Sequence, residues 1–222
     1  MIDTVKICKL LDMNETEFAE IFKEIHYPWE VLPRIEDFIF NIASELPSHY
    51  TAAGENIWVG KGTTIAENAQ IEGPVIIGCN CEIRHNAFIR GKAVIGNNCV
   101  IGNSTEVKNS FLFNNVQAPH FNYVGDSIMG YKSHIGAGVI LSNVKSIPGN
   151  VVVKVGEEVI ETGLRKFSAV LGDKAEVGCN SVLNPGTVVG RGSVIYPLSN
   201  VRGVVPSNYI FKNGVLTEII QK

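Results

Sequence analysis

The chain has 222 residues, 45% of them hydrophobic and 18% charged, with a formal net charge of −3. This is the make-up of a folded domain with an appendage rather than of a disordered chain, and the slightly acidic balance argues against nucleic acid as the main partner. No apolar run approaches the roughly 20 residues of a membrane span, and no basic segment followed by an apolar core opens the chain. Five cysteines with no CxxC pair read as free thiols in a reducing compartment, so a cytoplasmic protein with no membrane partner is expected.

Residues 1–50 differ in texture from the rest. Asn14 followed by Glu17 resembles a capped helix start, and Phe18, Ile21, Phe22 and Ile25 then fall at helical spacing until Pro28. A second amphipathic run, Val31, Leu32, Ile35, Phe38, Ile39 and Ile42, ends near Pro47. The segment reads as a small helical cap that hides the exposed strand edge of the first coil of a repeat stack.

From Val59 a bulky residue recurs every sixth position: Val59, Ile65, Ile71, Ile77, Ile83, Ile89, Ile95, Ile101, Val107 and Phe113. The period resumes in a shifted register at Tyr123, Met129, Ile135 and Leu141, and again at Leu171, Val177, Leu183, Val189, Ile195 and Val201. A fixed six-residue period marks a parallel β-helix, here over 51–206. Twenty hexads, three to a coil, make between six and seven coils. Small residues recur four positions after the bulky one, Cys81 and Cys99 among them, and point inward with it; glycine often follows the bulky residue and is read as relieving strain at a corner.

Two irregularities break the prism. The step from Phe113 to Tyr123 is ten residues, which leaves four extra around Pro119-His120-Phe121-Asn122. The second lies between Leu141 and Leu171, where Val151 to Ile160 alternates around Gly156-Glu157-Glu158 and predicts a β-hairpin within an insertion at about 144–168. Residues 207–222 carry an Asn213-Gly214 hairpin signal and form a closing segment.

Function is sought at these breaks. Arg90 and Lys108 are eighteen residues, one coil, apart, and each follows an inward residue. Two cations stacked about 4.8 Å apart repel unless an anion lies between them, and phosphate suits a planar fork beside a point charge; the alternative is two solvated surface cations. His120 sits in the four-residue break. An imidazole titrates near pH 6.5 and can act as a base, though a lone histidine is also commonly structural. Tyr123 and Asn143 can orient a polar substrate.

The run Pro119-His120-Phe121-Asn122-Tyr123-Val124-Gly125-Asp126, with Ile135-Gly136-Ala137-Gly138 and Ser142-Asn143 after it, resembles the acetyltransferase domain of bifunctional N-acetylglucosamine-1-phosphate uridyltransferase/glucosamine-1-phosphate acetyltransferase. It is closer still to the C-terminal domain of archaeal-type sugar-1-phosphate nucleotidyltransferases. The resemblance covers 57 to about 210 and implies a left-handed, all-β helix assembled as a homotrimer with sites between subunits. It implies acetyl transfer from acetyl-CoA to the amine of a hexosamine 1-phosphate, with no metal required. By it His120 is the base, the backbone amide of Ala137 meets the thioester oxygen, and Asn143 completes the catalytic set. Arg90 and Lys108 take phosphate, and Tyr123 and His134 line the sugar site, His134 standing where the bacterial enzymes have Asn. The loop lysines of that family are not reproduced: Gly149 and Val152 stand there, with Lys145 nearby. No G-x-G-T-R signature occurs, so nucleotidyltransferase activity is not expected. A non-catalytic trimeric sugar-phosphate binder, or an acyltransferase for another acceptor, is the alternative. A three-histidine metal site on the same stack is disfavoured, because no pair among His26, His49, His85, His120 and His134 has the four-residue gap such sites use.

Overall fold

Residues 2–219 are described by a computed structural model. From Ile57 the chain winds through strands of two to four residues, and each strand pairs in parallel with its counterparts one coil below and one above. Three sheets result, the faces of a triangular prism. Face 1 runs from Ile57–Gly60 to Val204–Val205, face 2 from Thr64–Ile65 to Tyr209–Lys212, and face 3 from Gln70–Glu72 to Asn200–Val201. Face 3 has seven strands, so seven coils are complete, and two further strands begin an eighth.

The inward residues fill the prism axis: Ile77, Ile95, Leu112, Met129, Leu171 and Val189 stack from face 1, with Cys81, Ala87 and Cys99 among the small residues beside the column. Asparagine, more often than glycine, turns the corners. Asn80, Asn86, Asn98, Asn115 and Asn180 all have φ between 54° and 62°, the left-handed region that asparagine tolerates better than other residues with a side chain. The glycines just after the inward residue do a different job from the one expected of them, since they admit the next coil. A Cβ on Gly78 would stand 2.6 Å from the backbone of Gly96.

The four-residue break around His120 is not an insertion. Leu112, not Phe113, pairs with Ile95 and Met129, Ala118 pairs with Ile101, and Val124, not Tyr123, pairs with Val107 and Leu141. The stack is continuous, with two five-residue steps, Val107 to Leu112 and Val124 to Met129, where Asn109 (φ 42°) and Asp126 (φ 49°) turn the corner from face 3 to face 1. A one-residue shift exchanges the two sides of a strand. Phe113 therefore joins an outer cluster and Tyr123 lies outside the prism core.

The N-terminal segment also departs from expectation. No helix starts at Asn14; the region is mostly 3₁₀ turns, with Pro28–Arg34 leading into the one longer helix, Ile35–Ile42. Asp12, not a capping pair at 14 and 17, accepts the Asn14 N–H, and Glu17 receives the Tyr50 hydroxyl at 2.6 Å. The segment lies along the outer side of face 1, not across the first coil. Trp29, Phe22, Ile35 and Ile39 pack in one cluster with the outward residues Ile76, Val94, Phe111, Ile128, Val170 and Val188. The strand Tyr50–Gly54 covers the first coil's edge by antiparallel pairing with Ile57–Gly60. At the upper coils Asp173 fastens the segment: its carboxylate accepts the N–H groups of Asp12 (2.8 Å) and Tyr131 (2.9 Å) and meets Arg191 at 3.0 Å. Burial pushes this carboxyl above the usual range, against the pull of Arg191 and the two N–H groups.

Between the fifth and sixth coils the chain leaves the corner from face 3 to face 1. Val152–Val155 and Glu158–Glu161 pair antiparallel, and Val151, Val153 and Val155 sink into the face 1 cluster beside the N-terminal segment. The last strand, Val215–Glu218, folds back on Tyr209–Lys212 through Asn213-Gly214, both at positive φ. Among the described residues no helix is long and apolar enough to cross a membrane.

Gly102 is the tightest point of the stack, where an added Cβ would overlap the Pro119 carbonyl, a backbone group that cannot swing away. Gly102→Ala is expected to cost at least about 3 kcal/mol, the upper range for overpacking. Urea unfolding would check this, and a loss under about 1 kcal/mol would mean that the strand carrying His120 is free to move.

Candidate active site

The ladder at the end of face 3 brings Arg90 and Lys108 into adjacent coils, because Val107 pairs with Ile89 and each cation is the next residue. Each has a carboxylate: Arg90 meets Glu106 at 2.8 Å and the Lys108 Nζ lies 3.7 Å from Asp126. Their mutual repulsion is thus already offset, and their stacking alone does not demand an anion. The wider setting is cationic. Arg90, Lys92, Lys108 and Lys166 line a cleft of about 440 Å³ whose lining carboxylates are Glu36 and Asp126. Lys166 arrives from the end of the insertion, and Glu36, on the helix Ile35–Ile42, ties down Lys92 at 2.6 Å.

Asp126, buried at the corner, organises the polar side chains. Its carboxylate accepts Asn109 Nδ2 at 2.7 Å and Asn143 Nδ2 at 2.5 Å, and Asn143 Nδ2 also lies 3.1 Å from Tyr123 Oη. A carboxylate only accepts, so it orients the Asn143 amide with nitrogen inward. The Asn143 Oδ1 has no partner among the described residues, and the Tyr123 hydroxyl, already accepting, keeps its own proton to donate. Burial, then the nearby Asp126 charge, pushes the Tyr123 phenol up and keeps it a neutral donor. Gly125 makes this possible, since a Cβ there would strike the Tyr123 ring.

His120 lies at the opposite end of the same strand row, at the corner from face 2 to face 3, with its side chain exposed. The pairing of Gln117 with His134 puts Ala137 next above His120 in that corner. The Ala137 N–H donates to no acceptor among the described residues, whereas its carbonyl accepts from Asn180 at 2.8 Å. Buried Asn122 joins the two: its Oδ1 accepts the His120 N–H at 3.1 Å and its Nδ2 donates to the Gly136 carbonyl at 2.7 Å. His134 is on face 2, beside Gln117 and three residues out of line with His120, roughly 10 Å along the strand, and Glu176 holds its Nδ1 at 2.8 Å.

One chain therefore gathers Lys108, Tyr123 and Asn143, with Arg90 alongside. It places His120 and Ala137 together at another corner, and His134 with neither. Asp126, Asn109, Asn122 and Lys166 complete these groups and were not among the residues singled out from the sequence. Asp126 was visible only as the last letter of a motif, and Lys166 reaches the cleft through the fold of the insertion.

The family described as EIF2B subunit epsilon LbH domain matches residues 54–160. The bifunctional protein GlmU of Methanococcus maripaludis is 30% identical over 208 residues, which is 92% of this chain and 50% of that protein. The bifunctional sugar-1-phosphate nucleotidylyltransferase/acetyltransferase of Sulfurisphaera tokodaii is 34% identical over 109 residues, 49% of this chain and 28% of that one. The chain is a left-handed β-helix similar in sequence to part of each of these bifunctional proteins. It spans about half the length of the Methanococcus relative. Among solved structures, an Arabidopsis UDP-N-acetylglucosamine acyltransferase has a TM-score of 0.48 at 13% identity, covering 71% of this chain and 61% of its own.

Asn122→Ala would leave the His120 N–H and the Gly136 carbonyl without their side-chain partner. It is expected to lower stability by about 1–3 kcal/mol, the cost of unsatisfied buried groups. Denaturant unfolding would show this, and an unchanged midpoint would mean that the two corners are held together by the strands alone.

Proposed function

We propose that this protein is an acyltransferase that moves an acetyl group from acetyl-CoA to the amine of a hexosamine 1-phosphate or a related amino sugar, as a homotrimer. The observation that carries the reading is the Asp126–Asn143–Tyr123 group, whose Asp126 lines a cationic cleft. It offers a free amide oxygen to an amine, a free phenol proton to a sugar oxygen, and cations to a phosphate. The acetyltransferase half of the Sulfurisphaera relative's name points the same way. No nucleotidyltransferase activity is proposed for these residues.

In this reading Arg90 and Lys108 hold the phosphate, Lys108 being the freer because its carboxylate is 3.7 Å away, and Tyr123 and Asn143 orient the sugar and its amine. His120 takes the proton that the amine loses as its nitrogen bonds to the thioester carbon and the sulfur leaves. The free Ala137 N–H stabilises the charge on the thioester oxygen. His120 and Ala137 do not line the cleft of their own chain, and in this reading a neighbouring copy supplies the cleft across a subunit boundary, with His134 at its edge as a sugar contact. The reading requires no metal.

His120→Ala is expected to leave the assembly folded, since the side chain is exposed. It should lower kcat by about 10² to 10⁴, the usual contribution of a positioned base. Near-normal turnover on every amino-sugar phosphate tested would remove His120 as the base. Lys108→Ala is expected to raise KM for a phosphorylated acceptor by about 1.5–3 kcal/mol in apparent binding with little change for acetyl-CoA. Steady-state kinetics with both substrates varied would decide, and equal effects on the two would rule Lys108 out as the phosphate ligand.

A further inference from the structure

A second set of cations stands on the far side of Asn143, between the insertion and the last coils. Lys145, Lys154 and Arg202 line two adjoining clefts of about 180 and 260 Å³ that share Lys145, Pro185 and Arg202. These cations differ from five others on the prism. Arg84, Arg90, Lys92, Lys108 and Arg191 each lie 2.6 to 3.7 Å from a carboxylate. No carboxylate lines either of these clefts. Among the described residues the three cations make only neutral contacts, Lys145 Nζ to the Asn150 carbonyl at 3.0 Å and Arg202 to Asn184 Oδ1 at 3.1 Å. Three like charges held around one opening with no counter-charge raise the local potential and attract an anion. Arg202 adds a planar fork suited to phosphate oxygens.

Apolar side chains share the smaller cleft with the cations. Val144, 43% exposed, and Ile147, 74% exposed, stand beside Pro185 at the rim of the smaller cleft. A flat base fits an apolar rim and its phosphates fit the cations, which is the division of labour in a nucleotide. Position adds to this. Ser142 lines the smaller cleft and immediately precedes Asn143, and Arg202 sits two coils above Ser142 in the face 3 ladder, roughly 10 Å away.

We propose that the paired clefts under the insertion form a nucleotide-phosphate site, in which Lys145, Lys154 and Arg202 bind the phosphates and Val144, Ile147 and Pro185 receive the base. The chemistry is shared by coenzyme A and by a free nucleotide. With coenzyme A the inference rests on the acyl-transfer reading and names the residues that anchor the donor. With a free nucleotide it stands apart from that reading.

The test is calorimetric titration of the full chain with coenzyme A and, separately, with ADP, using wild type and the double variant Lys154→Ala/Arg202→Ala. Both residues are exposed, and an unchanged melting temperature checks that the variant is folded. A loss of coenzyme A affinity of at least tenfold supports the site and assigns it to the donor. A tenfold loss for ADP, with ADP not displaced by coenzyme A, supports the site and assigns it to a free nucleotide. Affinities within twofold of wild type for both ligands, or no binding of either to the wild type, overturn it. Because binding and not turnover is read, the outcome is separable from the catalytic reading. Weakened coenzyme A binding in the double variant beside normal turnover in His120→Ala would remove His120 as the base and leave the site standing.

Discussion

The parallel ladder between coils governs everything else in this molecule. Each strand of two to four residues is too short to be stable alone, and it persists because its backbone groups are paired above and below while its inward side chain rests on the one beneath. That coupling sets a rigid pitch of about 4.8 Å and turns sequence spacing into position. Residues one coil apart become neighbours: Arg90 and Lys108 at the end of face 3, His120 and Ala137 at the corner between faces 2 and 3. The same pitch leaves no room for side chains where coils meet most closely, which is why Gly78 and Gly102 are glycines.

Face 1 is apolar on both sides, and this explains the rest of the architecture. Ile76, Val94, Phe111 and Val170 point away from the prism and would be a large exposed patch were they not covered by the N-terminal segment below and the insertion hairpin above. The two appendages are therefore parts of one outer layer. Each also brings charge to the cleft at the neighbouring corner, Glu36 from one and Lys166 from the other. Faces 2 and 3 keep their outer rows free for ligands or for another copy of the chain.

The electrostatics of the cleft follow from Asp126. As an acceptor it fixes the Asn143 amide, offsets Lys108 and keeps Tyr123 protonated. One buried carboxylate thereby sets the donor or acceptor character of three neighbours. Across the insertion the cations have no such partner, and a stronger field is left for a ligand to meet. The two cation groups differ in built-in neutralisation more than in charge.

Much of this was legible in the sequence. A six-residue period with small residues four places on has few physical solutions, and the β-helix, its interior column from Val59 to Val107 and from Met129 to Val201, and the neighbourhood of Arg90 with Lys108 follow from spacing. The motif from Pro119 to Asp126 covers the stretch whose side chains meet Asn143 and whose His120 lies below Ala137. What spacing did not decide was which side of a strand a bulky residue takes. Phe113 and Tyr123 continue the period by eye, yet Leu112 and Val124 hold the interior: on face 1 an outer layer from distant sequence makes both sides apolar and so removes the contrast that register reading needs, and on face 3 the five-residue step from Val124 to Met129 displaces the count. The path of residues 2–49 along that face, and the arrival of Lys166 and of the cations under the insertion, depend equally on contacts between segments far apart in the chain. Local sequence determined the pitch and the interior; the packing of the two appendages against face 1 decided where the charges meet.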